Sequence, residues 1–170
     1  MHNHLQFVVL THNDGTIGIM QLMREPLLPE NSSLFGYDHT SGSRDMSDEV
    51  IQFDIDRSAF DKPVVSWRRI HFQDLPTDGA FRAAWRDSGQ HIYHDMPTCR
   101  QIHIERIRKA RAPKLQALDV EYQRALEDNN VGYRNKVVAK KRKLRDATED
   151  PRIEASTSIE ELKAVWPLEE

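Results

Sequence analysis

The chain has 170 residues, 30% charged and 38% apolar, with a net charge of −3. That length supports one ordinary domain or two small ones, and the polarity suits an extended or partner-dependent molecule better than a compact globule. The single cysteine, Cys99, excludes an intrachain disulfide and fits synthesis in a reducing compartment; no apolar run reaches the length of a membrane span. The opening residues lack the basic start and long apolar core of a secretory signal, so none is expected. No internal repeat is visible.

Residues 5–23 read as a β-hairpin. Phe7-Val8-Val9-Leu10 leads into Asn13-Asp14-Gly15, and Ile17 and Ile19 follow. Asp-Gly between apolar runs is a strong hairpin signal, because the tight turn needs positive φ. Pro26 and Pro29 open a loop that continues through residues 30–48, rich in Asn, Ser, Gly and Asp. Within it Leu34, Phe35 and Tyr37 are expected to anchor to a core, with a partner as the other use. Val50 to Ile55 alternates as a strand, and Val64 to Ile70 is a second. A turn follows at Asp74 to Gly79. Phe81 to Trp85 reads as a short helix or a bent strand, Asp87-Ser88-Gly89 as a turn, and His91-Ile92-Tyr93 as a strand.

The helical arm begins at Met96. Asp95 or Thr98 can cap it, and Pro97 suits a first turn, where a missing N–H costs nothing. Ile104, Ile107 and Ala110 recur at three-residue spacing. Pro113 predicts a kink or break near Arg111-Ala112. Beyond it Leu115, Leu118, Tyr122 and Leu126 share one helical face. Glu127 to Asn130, with Gly132, is turn chemistry. Tyr133, Val137, Leu144 and Ala147 then lie on one side of a second helix, with Val138 adjacent, and Asp150-Pro151 ends it. A connection this short predicts an antiparallel hairpin with an apolar seam. Ser158-Ile159-Glu160-Glu161 fits a capping box for a short terminal helix, with Ile159, Leu162 and Val165 on its apolar side and Pro167 as its stop. Trp166 is then either a lid on the seam or an exposed anchor. The lid is the favoured reading, beside Leu144 with Arg145 and Asp146 holding the adjoining turn. The expected fold is α+β: an N-terminal antiparallel β region over 1–95, then a C-terminal helical hairpin and short capped terminal helix over 96–170.

Charge is split along the chain. Residues 96–146 hold 14 Lys and Arg against 6 Asp and Glu, a net +8, while 1–95 carry −6 and 147–170 carry −5. Mutual satisfaction of these charges is the plainest reading. Lys140-Lys141-Arg142-Lys143 with Arg145, and Arg106, Arg108, Lys109 and Arg111, are dense enough for phosphate binding. A four-residue run spreads around most of a helix, the whole chain is acidic, and no base-reading module is present, so nucleic acid is not the expected partner.

Residues suited to chemistry are few. The eight histidines offer only His2 with His4, and His91 with His94, as close pairs, and the latter point to opposite faces of a regular strand. A metal ion needs several such ligands converging, and none is expected. Cys99 and His103 are helix neighbours, but no orienting third group or anion-stabilising pocket is identifiable. Asp54 and Asp56 on one strand face are a weak acid–base signal, and Gly15 and Gly18 belong to a hairpin, not a phosphate loop. No catalytic residue and no cofactor is expected.

Several segments carry a resemblance. They are Pro76-Thr77-Asp78-Gly79-Ala80-Phe81-Arg82-Ala83-Ala84-Trp85-Arg86-Asp87, Ala110 to Leu115, Leu118 to Tyr122, Leu144-Arg145-Asp146-Ala147, and Glu160 to Pro167. Over roughly residues 64–167 the chain resembles small proteins encoded beside tail-fibre genes of tailed bacteriophages and prophages, in particular tail-fibre assembly chaperones. The resemblance implies a non-catalytic protein that acts by contact with a tail fibre or another tail protein, with self-association a further option. It implies residence in the host cytoplasm during assembly, or in the virion tail. Two other readings stay open: a structural tail component retained in the particle, and a phage-encoded nucleic-acid or host-factor binder. The candidate partner-binding residues are Leu115, Leu118, Tyr122, Leu126 and Leu144 of the seam, with Trp166, and Trp85 and Arg145 from the segments that carry the resemblance.

Overall fold

Four consecutive apolar residues, Phe7-Val8-Val9-Leu10, are all buried, which a strand achieves only when both of its faces are covered. The computed structural model describes residues 6–22, 48–58 and 60–168. The fold is α+β, and the chain divides into two compact units, Met1–Tyr93 and His94–Glu170. The expected loop over 30–48, with Leu34, Phe35 and Tyr37, lies outside the described residues, apart from Asp48, as do His2 and His4.

In the first unit, β1 (Gln6–His12) is the central strand of an antiparallel sheet ordered β2-β1-β3, with β2 at Ile17–Leu22 and β3 at Val64–His71. The β1–β2 turn is as the Asp-Gly signal predicts: Gly15 has φ +76°. The Asp14 carboxylate accepts from the Thr16 amide at 3.0 Å and from Lys62 Nζ at 2.6 Å. The Lys62 ammonium, followed by the Thr16 donors, holds Asp14 well below the usual carboxylate range. Alternation along β1 divides the core. Val8 and Leu10 pack with Ile51 and Ile55, whereas Phe7 and Val9 pack with Ile70, Trp85 and Ile92.

The expected strand over 50–55 is instead part of helix α1 (Asp48–Arg57). Ile51 and Ile55, four residues apart, are its buried face, while Phe53, which alternation would have buried with them, is exposed under the Arg57 guanidinium. Asp48 and Glu49 suit the positive end of the helix, Gln52 bonds Asp56 at 2.8 Å, and Gln52 also accepts from Trp67 Nε1 at 2.7 Å. Asp54 and Asp56 therefore do not share a strand face. Phe81 to Trp85 combines both alternatives: a 3-10 helix over Gly79–Ala84, capped by Asp78, runs into β4 (Trp85–Asp87), which pairs with β5 (Ile92–His94). Arg68 on β3 grips Asp87 through Nε at 3.0 Å and Nη2 at 2.7 Å. Burial opposes the Asp87 charge, but the Arg68 fork and the Gly89 amide outweigh it and hold the carboxyl below its ordinary range.

In the second unit, α2 (Met96–Glu127) is capped by Asp95, which accepts from the Thr98 amide at 3.3 Å, with Pro97 in its first turn. Contrary to expectation, α2 runs unbroken through Pro113. The proline removes one helix hydrogen bond, yet Ile107 and Leu118 are buried on either side of it and hold the axis in place. Asp128 ends α2, Asn129 takes φ +50°, and Asn130 caps α3 (Val131–Asp146), with Gly132 already inside that helix. A 3-10 turn (Ala147–Glu149) follows. Asp150-Pro151 does more than stop a helix: Asp150 caps a short helix, α4 (Pro151–Ala155), with the proline at its start. Ser158 then caps α5 (Ile159–Ala164), accepting from the Glu161 amide at 3.2 Å, while the Glu161 carboxylate reaches back to the Thr157 amide at 2.8 Å.

Candidate interaction surface of the helical unit

The two long helices are antiparallel. Late in α2, Glu121 accepts from Tyr133 of early α3 at 2.7 Å and Asp119 pairs with Lys141, while Arg111, earlier in α2, reaches the carbonyls of Leu144 and Arg145 at the end of α3. Val137 is fully buried, and Leu118 on the facing helix is buried. The seam departs from the expected one beside the turn, while Leu118, Val137, Leu144 and Ala147 take the inner positions expected of them. On α2 the buried residue of the last turn is Ala125, and Leu126 is 47% exposed. On α3 the inner positions are Arg134, Val137, Lys141, Leu144 and Ala147, and Tyr133 is exposed. The cause is geometric: successive residues are 100° apart, so the residue that returns to the side of buried Leu118 in the last turn is Ala125, seven positions on, and Leu126 points away from it.

Several cations in this unit serve internal roles. Arg111 Nη1 donates to the Leu144 carbonyl at 3.1 Å and to Thr148 Oγ1 at 3.3 Å. It thus satisfies orphan carbonyls at the negative end of α3. Arg100 Nη2 donates to the Ser156 carbonyl at 2.9 Å and Lys114 Nζ to the Leu168 carbonyl at 2.7 Å. Arg108 pairs with Glu105. The cationic cluster read at 106–111 is therefore partly consumed in holding the unit together, and Lys141 is tied to Asp119 and the Tyr122 ring, 5.4 Å away.

The terminal segment docks at a different place from the one expected. Ile159, Leu162, Val165 and Leu168 are buried, and Trp166 is half-buried. The Trp166 ring stands edge-on to His103, with centroids 5.7 Å apart and planes at 68°. His103, only 3% exposed, has Nε2 2.7 Å from the Val165 carbonyl. A carbonyl can only accept, so Nε2 carries the hydrogen in this contact. The proposed Leu144 neighbourhood is replaced by the first half of α2, and the polar latch is His103, not Arg145 and Asp146. The i, i+4 spacing of Cys99 and His103 was a legible sign of a shared face, and both are indeed buried. It carried no hint of a carbonyl partner 62 residues later.

The eight candidate residues therefore disperse. Trp85 belongs to the core of the other unit, with Phe7, Val9, Ile70 and Ile92, and presents no partner surface. Leu118 is buried; Leu115, Tyr122 and Leu144 are half-buried; Leu126 and the Arg145 side chain are exposed. Sequence reading missed Val131 and treated Val138 as a neighbour of the seam, yet these are 49% and 44% exposed. Among the described residues, no group of three His, Cys, Asp or Glu side chains gathers as a metal would require. No described helix is long and apolar enough to cross a membrane. No family model, curated protein or solved structure matches this chain.

Proposed function

We propose that this chain is a non-catalytic assembly factor for a bacteriophage tail fibre, or a tail accessory protein, that works by protein–protein contact. The observation that carries the reading is the exposed apolar surface near the turn of the helical hairpin, where Leu126, Val131 and Val138 are exposed beside a folded seam. A hairpin that has already buried Leu118, Ala125 and Val137 does not need these residues for its own core. The tail setting comes from the resemblance of residues 76–87, 110–122, 144–147 and 160–167 to tail-fibre assembly proteins.

Co-expression with a tail-fibre protein from the same genome tests the proposal. Soluble, protease-resistant fibre trimers should depend on this chain, and purified particles should lack it if it is an assembly factor. Its presence in stoichiometric amounts in particles would make it a structural tail component instead. Fibres that form equally well without it, together with steeply salt-dependent binding of the chain to nucleic acid, would refute the reading.

A further inference from the structure

We propose that one side of the α2–α3 hairpin, bearing Leu126, Val131 and Val138, is the docking face for an acidic amphipathic helix of another protein. The inference rests on the reading of the chain as a protein-binding factor and names the surface and the chemistry of what it binds.

Spacing and one ion pair locate the face. Asp119 and Leu126 are seven residues apart and so lie on one side of α2. On α3, Val131 and Val138 are also seven apart, and Arg134, Arg142 and Arg145 stand four before, four after and seven after Val138. Lys141, three residues from Val138, pairs with Asp119 across the helices. The two stripes are therefore on the same side of the hairpin. Val120 is 52% exposed but, two residues from buried Leu118, lies on the far side of α2.

Charge decides the occupant. Asp119 is neutralised by Lys141, and among the described residues no ion pair is found for Arg134, Arg142 or Arg145. The apolar stripe is thus bordered by guanidinium groups without acids. A second copy placed face to face through a two-fold axis would bring this cationic border against the same cationic border, which repels. A partner with carboxylates flanking an apolar stripe meets both features. Val131 to Arg145 spans roughly 21 Å at 1.5 Å per residue, the length of a helix of about 14 residues, and a third helix along two others is a common bundle geometry.

The test uses the full chain and two labelled synthetic helical peptides. Both carry leucines at heptad core positions; one has flanking glutamates, the other lysines. By fluorescence anisotropy the acidic peptide should bind at least ~10-fold tighter than the basic one, with the gap narrowing as salt rises. Val138→Asp should weaken acidic-peptide binding by at least ~10-fold, and Arg142→Gln with Arg145→Gln by several-fold, whereas Val120→Asp should leave it unchanged. If Val138→Asp unfolds the unit, Val131→Ser and Val138→Ser replace it. No binding, equal affinity for the two peptides, or equal loss with Val120→Asp would overturn the proposal. So would self-association of the wild type that Val138→Asp abolishes, which would give the face to a second copy. Fibre assembly that needs the chain but tolerates Val138→Asp would overturn this face and leave the assembly role standing. Fibre assembly indifferent to the whole chain would overturn the role, while the peptide measurements still judge the face.

Discussion

Val137 and Val138 are adjacent valines whose replacement by alanine should have opposite consequences. Val137 is the buried side chain of α3, at 0% exposure, and Val138 is 44% exposed. Val→Ala removes two methyl groups, about 1.6 kcal/mol of transfer free energy at ~0.8 kcal/mol per group. At Val137 the hole between α2 and α3 adds roughly 1 kcal/mol. Alanine is the better helix former by about 0.5 kcal/mol, which offsets part of the loss. The net expectation is about 2 kcal/mol of destabilisation for Val137→Ala, against little change or a slight gain for Val138→Ala. For a unit of this size 2 kcal/mol corresponds to a Tm lower by roughly 8–16 °C. Thermal unfolding of the full chain, followed by far-ultraviolet circular dichroism at 222 nm and by calorimetry, reads this directly, since helices dominate the signal. Equal melting of the two variants, or a larger loss at Val138, would show that the phase assigned to α3 is wrong, and with it the face described above.

Four further outcomes follow from the same geometry. Pro113→Ala restores an amide to the middle of α2 and should raise the unfolding temperature of the helical unit, by about 1–3 kcal/mol of stability; no gain in a melt would mean the surroundings are fitted to the proline. Asp87→Asn should cost about 2 kcal/mol in a denaturant titration, by weakening the Arg68 fork. Because the Asp87 carboxyl is held below its ordinary value, its contribution is present above the unfolded carboxylate range and is lost as pH falls through the folded value, so the variant should lose stability less steeply in acid than the wild type. Gly15→Ala should cost roughly 1 kcal/mol, measured the same way: its added methyl meets no atom within 4 Å, so only the positive φ penalises it. Truncation after Glu161 removes buried Leu162, Val165 and Leu168 and the partners of His103 and Lys114, and should melt the helical unit at much lower temperature; a full-length-like melt would mean the docked tail contributes nothing to its stability.

Local chemistry was legible without the fold. The Asp14-Gly15 turn, the caps at Asp95 and Ser158, the first-turn Pro97 and the left-handed step before α3 depend on residues within a few positions of one another, so a linear reading finds them. The antiparallel hairpin followed from its short connection in the same way. What was settled in three dimensions involved competition between distant groups. Residues 50–55 alternate well enough for a strand, but Ile51 and Ile55 have a sheet face to cover at Val8 and Leu10, and a helix buries that i, i+4 pair while leaving Phe53 outside. Pro113 should break a helix, yet packing on both sides of it outweighs one missing hydrogen bond. At the hairpin end, Ala125 and not Leu126 is buried, because the facing helix fixes which side of α2 is covered, and Ala125, seven residues from Leu118, lies on that side. Trp166 joins His103 for a similar reason: the Val165 carbonyl at the end of α5 needed a donor, and the buried donor within reach lay 62 residues earlier in the chain.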